Sequence, residues 1–191
     1  FNSQNFVNKI LSIHKKRIAG IIHTINDDIS DRINYKNVTS KTLFGNNKIT
    51  ESLIDLSFEI SMSSFFQTNP LCAEDLYKKV IEYIDISCLK QHNNNKYILD
   101  LFCGTGTIGQ LIASEDKNIQ VIGVDIIQSA INDAKANAIN NKIKNIDFYA
   151  LDIKKFLIEK PELKNKIDTI IIDPPRPGVS KKSLTKIIEL N

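Results

Sequence analysis

The stretch from Tyr97 to Gly109 constrains the fold more than any other part of the chain. It begins with an apolar run of strand length that starts at Tyr97 and ends in Asp100, and it passes through a loop with three glycines into an amphipathic segment that starts at Ile108. Gly104 and Gly106 permit backbone conformations and a close ligand approach that a Cβ would prevent. A strand, a glycine loop and a helix in this order predict a nucleotide-binding βα turn.

The spacing of the glycines leaves two classes of ligand open. Gly104, Gly106 and Gly109 match G-x-G-x-x-G, and Asp125 ends the next apolar run, where a carboxylate can hold a ribose hydroxyl. Dinucleotide dehydrogenases and S-adenosylmethionine (SAM) methyltransferases both use this arrangement. The turn alone therefore predicts an adenosine ligand without choosing between them.

Composition excludes several classes of protein. The 191 residues are 42% hydrophobic and 25% charged, as in a globular chain with a sizeable core, and the net charge of +3 permits a nucleic-acid partner. The three cysteines form no C-x-x-C pair and the three histidines have no ligand spacing, so we expect neither a disulfide framework nor a metal site. No apolar run reaches the ~20 residues of a membrane span, and no signal peptide is visible. We expect an intracellular monomer without a membrane partner, its compartment undetermined.

The first third of the chain predicts a small appendage. Residues 3–16 carry Phe6, Ile10, Leu11 and His14 at helical spacing. Three β-type runs follow, at 18–25, 39–44 and 55–60, with a turn at 45–47 between the last two. We expect residues 1–62 to form a helix and a small antiparallel sheet, ahead of a nucleotide domain at 63–191.

Strands and helices alternate in the remainder of the chain. After the glycine turn, strands are expected at 119–124, 146–150 and 169–172, with helices at 128–140, 153–159 and 182–190. This alternation predicts an α/β fold with a doubly wound parallel sheet that binds its ligand at the carboxyl ends of the strands. Four strand ends carry an aspartate: Asp100, Asp125, Asp152 and Asp173. An acidic rim favours the hydroxyls and amines of SAM over a pyrophosphate, although an aspartate at such a position can also simply cap a helix.

A second motif precedes the sheet domain. Asn69 and Pro70 predict a helix start, with Leu76, Val80 and Ile84 as the buried stripe of that helix, running to about residue 86. Phe65, Phe66 and Gln67 then lie in the loop before it. One phenylalanine is free to stack on a base and Gln67 can both donate and accept hydrogen bonds; alternatively, both rings seal the core.

Three motifs in order carry a family resemblance. They are Phe65-Phe66-Gln67-Thr68-Asn69, Asp100-Leu101-Phe102-Cys103-Gly104-Thr105-Gly106-Thr107-Ile108-Gly109 and Asp173-Pro174-Pro175-Arg176-Pro177-Gly178. With them the chain resembles, over roughly residues 40 to 191, the RNA uracil-5-methyltransferases, which use SAM to make 5-methyluridine in tRNA and ribosomal RNA. The fold so implied is a class I SAM-methyltransferase, Rossmann-like sheet that is incomplete at the C-terminus of this chain.

The resemblance assigns roles to particular residues. Together with the glycine turn it implies these cofactor contacts: Gln67, Asp100, Phe102, Gly104, Gly106, Thr107, Asp125, Asp152 and Asp173. Phe65 would stack in the uracil pocket, which Gln67 and Asp173 would also face. Arg176 would either pair with an RNA phosphate or brace its loop.

The family chemistry requires a nucleophile that this chain lacks. A cysteine thiolate adds to C6 of uracil, C5 takes the methyl group, and a base removes the C5 proton. In the family the cysteine lies in a Ser-Cys-Asn-Pro segment after the D-P-P-R helix and the base is a glutamate further on, so both are expected after Asn191. Cys72, Cys88 and Cys103 do not match that position; we expect the first two to be buried and Cys103 to pack near the cofactor.

Other interpretations remain. A SAM enzyme acting on amino nitrogens of bases would carry an aromatic residue after Asp173-Pro174-Pro175, where Arg176 stands. A non-catalytic SAM- or RNA-binding protein, or a dehydrogenase, would keep the glycine turn without the nucleophile. Uridine methylation is favoured, with tRNA preferred over ribosomal RNA.

Overall fold

The computed structural model describes residues 2–26, 38–62, 64–84 and 97–190, and the side chains of Lys15 and Asn26 are not described. The chain divides into two compact units, residues 1–49 and 50–191. Cys88, His92 and the polar segment at 93–95 lie outside the described residues.

The first unit combines one helix with a two-stranded sheet. Its elements are α1 (Ser3–His14), a 3-10 turn (Lys15–Arg17), β1 (Gly20–Asn26) and β2 (Val38–Gly45). β1 and β2 are antiparallel, as predicted. Val7 is buried in α1, and Ile10 and Leu11 are half-buried as predicted, whereas Phe6 is 46% exposed and His14 is also exposed.

The second unit begins inside a strand that the sequence did not predict. β3 (Lys48–Leu53) and β4 (Leu56–Ser61) form a two-stranded sheet across a turn at 54–55. β3 was missed because most of its residues are polar. Leu53 and Phe58 are fully buried in a cluster with Tyr77 and Leu111. The division between the two compact units falls at 49/50, and the domain boundary at 62/63 stays a prediction.

The rest of the second unit alternates strands and helices. In chain order the elements are α2 (Pro70–Ile84), β5 (Tyr97–Leu101), α3 (Thr107–Glu115), β6 (Gln120–Asp125), α4 (Gln128–Asn140), β7 (Ile146–Ala150), α5 (Ile153–Glu159), a 3-10 turn (Pro161–Leu163), β8 (Ile167–Ile172) and α6 (Lys181–Ile188). The strands are parallel in the order β7-β6-β5-β8. This confirms the predicted doubly wound α/β sheet.

Hydrophobic clusters cover both faces of this sheet. Successive residues of a strand point to opposite faces. Leu99 and Leu101 of β5 accordingly join a cluster with α5 and α6, and Ile98 joins one with α2 and α3. The carboxyl ends of the strands are left between these two layers of helices, where ligands of such sheets bind.

The buried stripe of α2 differs from the predicted one. Ile84 is buried as expected, but Leu76 is 51% exposed, and Ala73 and Tyr77 take the inner positions. The stripe is turned because the β3–β4 sheet packs on this helix, which the sequence did not reveal. Cys72 is exposed, so the expectation that it is buried was wrong.

None of the helices in the described parts of the chain has the length and apolar character needed to cross a bilayer.

Candidate functional site

A small cavity lies where the predicted motifs converge. Its walls come from the loop before α2, the turn after β5 and the end of β8. It brings together seven of the predicted site residues: Phe65, Gln67, Asp100, Phe102, Gly104, Thr107 and Asp173.

Two carboxylates build the glycine loop. Asp100 Oδ2 accepts the backbone N–H of Gly109 at 3.0 Å, which satisfies one of the unpaired donors in the first turn of α3. Asp125 Oδ2 accepts the N–H of Gly104 at 3.0 Å, and its Oδ1 accepts the N–H of Ile127 at 2.9 Å. Both aspartates therefore order the backbone around the cavity.

The chain turns sharply after β5. Phe102 has φ +64°, a left-handed conformation that is uncommon for a bulky residue and is found at ligand sites. The N–H groups of Phe102 and Cys103 both donate to the carbonyl of Val124, at 2.9 and 3.2 Å. This pairing to β6 holds Phe102 at the cavity wall.

Gly104 and Gly106 have the same backbone handedness but different surroundings. Gly104, with φ +54°, lines the cavity, and a Cβ added there would meet no heavy atom within 4 Å. Gly106, with φ +72°, is buried, and a Cβ there would lie 2.5 Å from the ring of Phe148. Gly104 thus leaves room for a ligand, and Gly106 leaves room for a core side chain.

Asp100 is the most perturbed acid of the site. It is 1% exposed. Burial raises its pKa to about 7, the charges of Asp173 and Asp125 add to the rise, and the hydrogen bond from Gly109 opposes it. Asp100 can therefore change protonation near neutral pH.

Two further ionisable groups line the cavity. Burial, followed by the charges of Asp173 and Asp100, raises the pKa of Tyr77 to about 12, while a hydrogen bond with Gln67 opposes the rise. Burial also raises the pKa of the Cys103 thiol well above its usual value, with Asp100 and Asp125 contributing. Cys103 lies at the cavity, as expected, but its environment disfavours the thiolate that a nucleophile needs.

The loop before α2 separates its two aromatic rings. Phe66 packs against the core, with its ring centroid 6.1 Å from that of Phe58. Phe65 lies at the cavity and is 73% exposed. Asn69 Oδ1 accepts the N–H of Cys72 at 3.2 Å, which is the predicted cap of α2.

Four predicted site residues do not line this cavity. Gly106 is the buried last residue of the glycine loop, and Asp125 is a half-buried residue that accepts the N–H of Gly104. Asp152 caps α5 by accepting the N–H of Lys155 at 3.1 Å. Arg176 is exposed in the turn after Asp173, where the N–H of Gly178 donates to the carbonyl of Pro175 at 2.7 Å.

Sequence reasoning missed Tyr77 as a cavity residue. Ala73, Tyr77, Val80 and Ile84 are spaced four, three and four residues apart, which is helical periodicity. That spacing was the available signal for Tyr77. It was missed because Leu76, Val80 and Ile84 are also at helical spacing and form the buried stripe predicted from the sequence.

The arrangement favours a ligand that donates hydrogen bonds. Carboxylates stand at or next to the carboxyl ends of all four parallel strands. In the parts of the chain that are described, no three His, Cys, Asp or Glu side chains are grouped so as to hold a metal.

The chain is similar in sequence to RNA methyltransferases of bacteria. An uncharacterized RNA methyltransferase of Clostridium acetobutylicum is 45% identical over 91% of this chain and 35% of its own length. Another, from Clostridium tetani, is 42% identical over 100% of this chain and 39% of its length. The chain thus spans little more than a third of these relatives.

Solved structures share the fold. The Pyrococcus abyssi tRNA (uracil-54, C5)-methyltransferase, in complex with S-adenosyl-L-homocysteine, matches 89% of this chain and 38% of its own, with TM-score 0.67 and 29% identity. M. jannaschii TYW2 in complex with AdoMet matches 79% of this chain and 62% of its own, with TM-score 0.56 and 20% identity, which shows the fold alone. A family model described as a methyltransferase domain matches residues 92–189. The fold is that of class I SAM-dependent methyltransferases, and the chain belongs to the methyltransferase-domain family.

Proposed function

We propose that the complete protein containing this chain methylates C5 of a uridine in RNA, with tRNA preferred over ribosomal RNA, and that this chain supplies the SAM site. One observation carries the proposal. Phe65, the glycine turn and Asp173, which are far apart in sequence, line one cavity, and the ring of Phe65 is exposed there. An exposed ring beside an adenosine site is suited to stacking on a second base.

The donors of SAM fit the residues present. SAM supplies an electrophilic methyl group when it is bound. Asp125 would accept ribose hydroxyls with the lone pairs that the amides of Gly104 and Ile127 leave available. Asp152 would accept the adenine amine with the capacity left after it caps α5. Asp100, engaged by Gly109, would fix the loop.

The other lining residues would position the two reactants. Gln67, Phe102, Thr107 and Asp173 would contact the methionine side of the cofactor. Phe65 would stack on the extruded uracil, since a base inside a helix cannot reach an enclosed site. Arg176 is exposed, where it can reach an RNA phosphate or brace its loop.

The protein similarities support the substrate class. The curated relatives are RNA methyltransferases by name, and the Pyrococcus abyssi enzyme acts on a tRNA uracil by its name. The runner-up is a SAM enzyme that methylates another position of a nucleic acid. Arg176 favours uracil, because the amino-nitrogen enzymes have an aromatic residue there.

The test is the chemical identity of the methylated nucleoside. The complete protein is incubated with methyl-labelled SAM and unmodified tRNA or ribosomal RNA transcripts, which are then digested and separated. We expect labelled 5-methyluridine and, with 5-fluorouridine RNA, a covalent protein–RNA adduct. Label on an adenine or guanine nitrogen would contradict the proposal. The Arg176→Ala variant decides between the two roles of this residue, since only a phosphate contact raises the KM for RNA with the salt dependence reduced.

A further inference from the structure

Strand β4 is held on its outer edge by a helix. One edge of β4 pairs with β3, and the other meets three polar side chains of α4 and its C-terminal cap. We call these three side chains, Asp133, Asn137 and Asn141, the polar ladder. They were not recognised from the sequence.

Each member of the ladder binds one alternate position of the strand. Asn141 Oδ1 accepts the N–H of Ser57 at 3.0 Å. Asn137 binds both backbone groups of Glu59, since its Oδ1 accepts the N–H at 2.8 Å and its Nδ2 donates to the carbonyl at 3.0 Å. The ladder therefore does for β4 what a neighbouring strand would do.

Asp133 extends the ladder beyond the end of β4. Its Oδ2 accepts the hydroxyl groups of Ser61 and Ser64, each at 2.6 Å. Ser64 directly precedes Phe65, and Gln67 follows three residues after Ser64. The carboxylate thus fixes the point at which the chain leaves the strand and enters the cavity wall.

The spacing of helix and strand explains why the contacts repeat. Four residues along a helix advance about 6.0 Å, and two residues along a strand advance about 6.6 Å. Every fourth residue from Asp133 to Asn141 therefore lies beside every second residue of the strand, so that 133, 137 and 141 pair with 61, 59 and 57. The helix and the strand run in opposite directions. The match allows every rung to form without distorting either element.

The ladder also reaches the glycine loop. Asn141 Nδ2 donates to Gln110 Oε1 at 3.2 Å, and Gln110 Nε2 donates to the carbonyl of Thr105 at 3.3 Å. Gln110 is 0% exposed, and Thr105 lines the cavity. One helix thus contacts both walls of the site, the loop before α2 and the turn after β5.

We infer that Asp133 is a positioning residue for methyl transfer, which acts by holding the 64–67 segment so that Phe65 faces the uracil and Gln67 faces the cofactor. Asp133 and Asn137 are 7% and 1% exposed, and buried hydrogen bonds of this kind are costly to break. The inference rests on the proposed function, because the proposed function assigns one wall of the cavity to the RNA substrate and the other to the cofactor.

The test compares variants of the complete protein with a control of similar burial. Asp133→Ala removes the acceptor, and Ser61→Ala combined with Ser64→Ala removes both donors. Asp133→Asn keeps one carbonyl oxygen that can accept from both serines. Asn145→Ala is the matched control, because Asn145 is 8% exposed and its Nδ2 donates to the carbonyls of Ala113, Asp116 and Ile119.

Two readouts are taken on every variant, amide hydrogen exchange by mass spectrometry and methyl-transfer kinetics. With Asp133→Ala and with the serine double variant, we expect amide exchange at 61–69 to be about tenfold faster. We also expect kcat/KM for RNA to be at least about tenfold lower. Both factors correspond to the loss of roughly one buried hydrogen bond to a charged group. SAM affinity should fall less than about threefold, since Gln67 is the one assigned cofactor contact in the 64–67 segment and the contacts from the turn after β5 and from Asp125 are untouched. Asp133→Asn should recover most of the loss. Asn145→Ala should speed exchange at 113–121 while kcat/KM stays within about twofold of wild type.

The outcomes separate this inference from the proposed function. Unchanged exchange at 61–69 in Asp133→Ala overturns the inference, as does an equal fall in kcat/KM for Asp133→Ala and Asn145→Ala at equal loss of thermal stability. If the wild-type protein methylates no uridine, the proposed function fails, and the exchange data still decide whether Asp133 holds the segment.

Discussion

Replacing Gly104 and Gly106 separately by alanine should separate ligand binding from stability. Both glycines have a positive φ, so each substitution places an alanine in the left-handed region, at about 1–2 kcal/mol. The loss of glycine freedom in the unfolded chain returns about 0.4–1 kcal/mol at each position. Backbone terms are therefore nearly equal in the two variants.

The surroundings then decide the difference between the variants. The new methyl group at position 106 would lie 2.5 Å from Cε1 and Cζ of Phe148 and 3.1 Å from Cβ of Ala134. Phe148 is 5% exposed and packed among buried residues, so its ring has little room to yield. Overpacking of this kind adds about 1–3 kcal/mol. We expect Gly106→Ala to lower the free energy of unfolding by about 2–4 kcal/mol, and Gly104→Ala by only about 1 kcal/mol.

The binding effects should run in the opposite order. The methyl group of Gly104→Ala enters the cavity, and we expect SAM affinity to fall at least about tenfold, or ~1.4 kcal/mol. Gly106→Ala, below its unfolding transition, should bind SAM within about twofold of wild type. Isothermal calorimetry measures the affinity, and hydrogen exchange of the β5 and β6 amides measures the free energy of opening.

An internal check uses the ring itself. Phe148→Leu in the Gly106→Ala background should restore part of the lost stability, although it costs stability in the wild-type background. Equal destabilisation by the two alanines, or a failure of Phe148→Leu to rescue, would refute the reasoning from packing.

Two other predictions concern the aspartates of the site. Because the folded pKa of Asp100 is about 7 and its unfolded value is near 4, the native state holds the extra proton between these values, and its stability falls as pH rises through that window. Asp100→Asn should remove this fall in stability, which is on the order of 1 kcal/mol per pH unit. Urea unfolding of both proteins at pH 5 and pH 8 measures the fall. An equal pH dependence of stability in the two proteins would contradict the raised pKa of Asp100. Asp125→Ala should weaken SAM binding by ~1.5 to 3 kcal/mol, because it removes both a ribose acceptor and the partner of the Gly104 amide. Calorimetry beside Asp125→Asn, which retains one oxygen, checks this, and unchanged affinity in the alanine variant would mean that the ribose is held elsewhere.

The sheet was predictable because its strands carry signals that lie within a few residues. β5 and β6 are largely apolar, as strands covered on both faces must be, and β8 ends in three consecutive isoleucines. The glycine loop and the Asn69 cap have equally local signals. These features needed no knowledge of what packs against them.

The errors concern residues whose environment is set by distant parts of the chain. Leu76 and Tyr77 are adjacent on α2, and only the β3–β4 sheet determines which one is covered. A polar residue such as Asp133 on a helix is expected to be exposed. It is instead buried, and it accepts a hydrogen bond from Ser61, 72 positions earlier in the chain.

The polar ladder has a consequence for how the protein behaves at high concentration. A strand edge with unpaired N–H and C=O groups is a template on which another chain can add. Asn137 and Asn141 occupy the amides of Ser57 and Glu59 on the edge of β4 that β3 leaves open. The helix thereby keeps this edge of β4 from pairing with another chain. Loss of the Asn137 and Asn141 side-chain amides would expose the edge and promote aggregation.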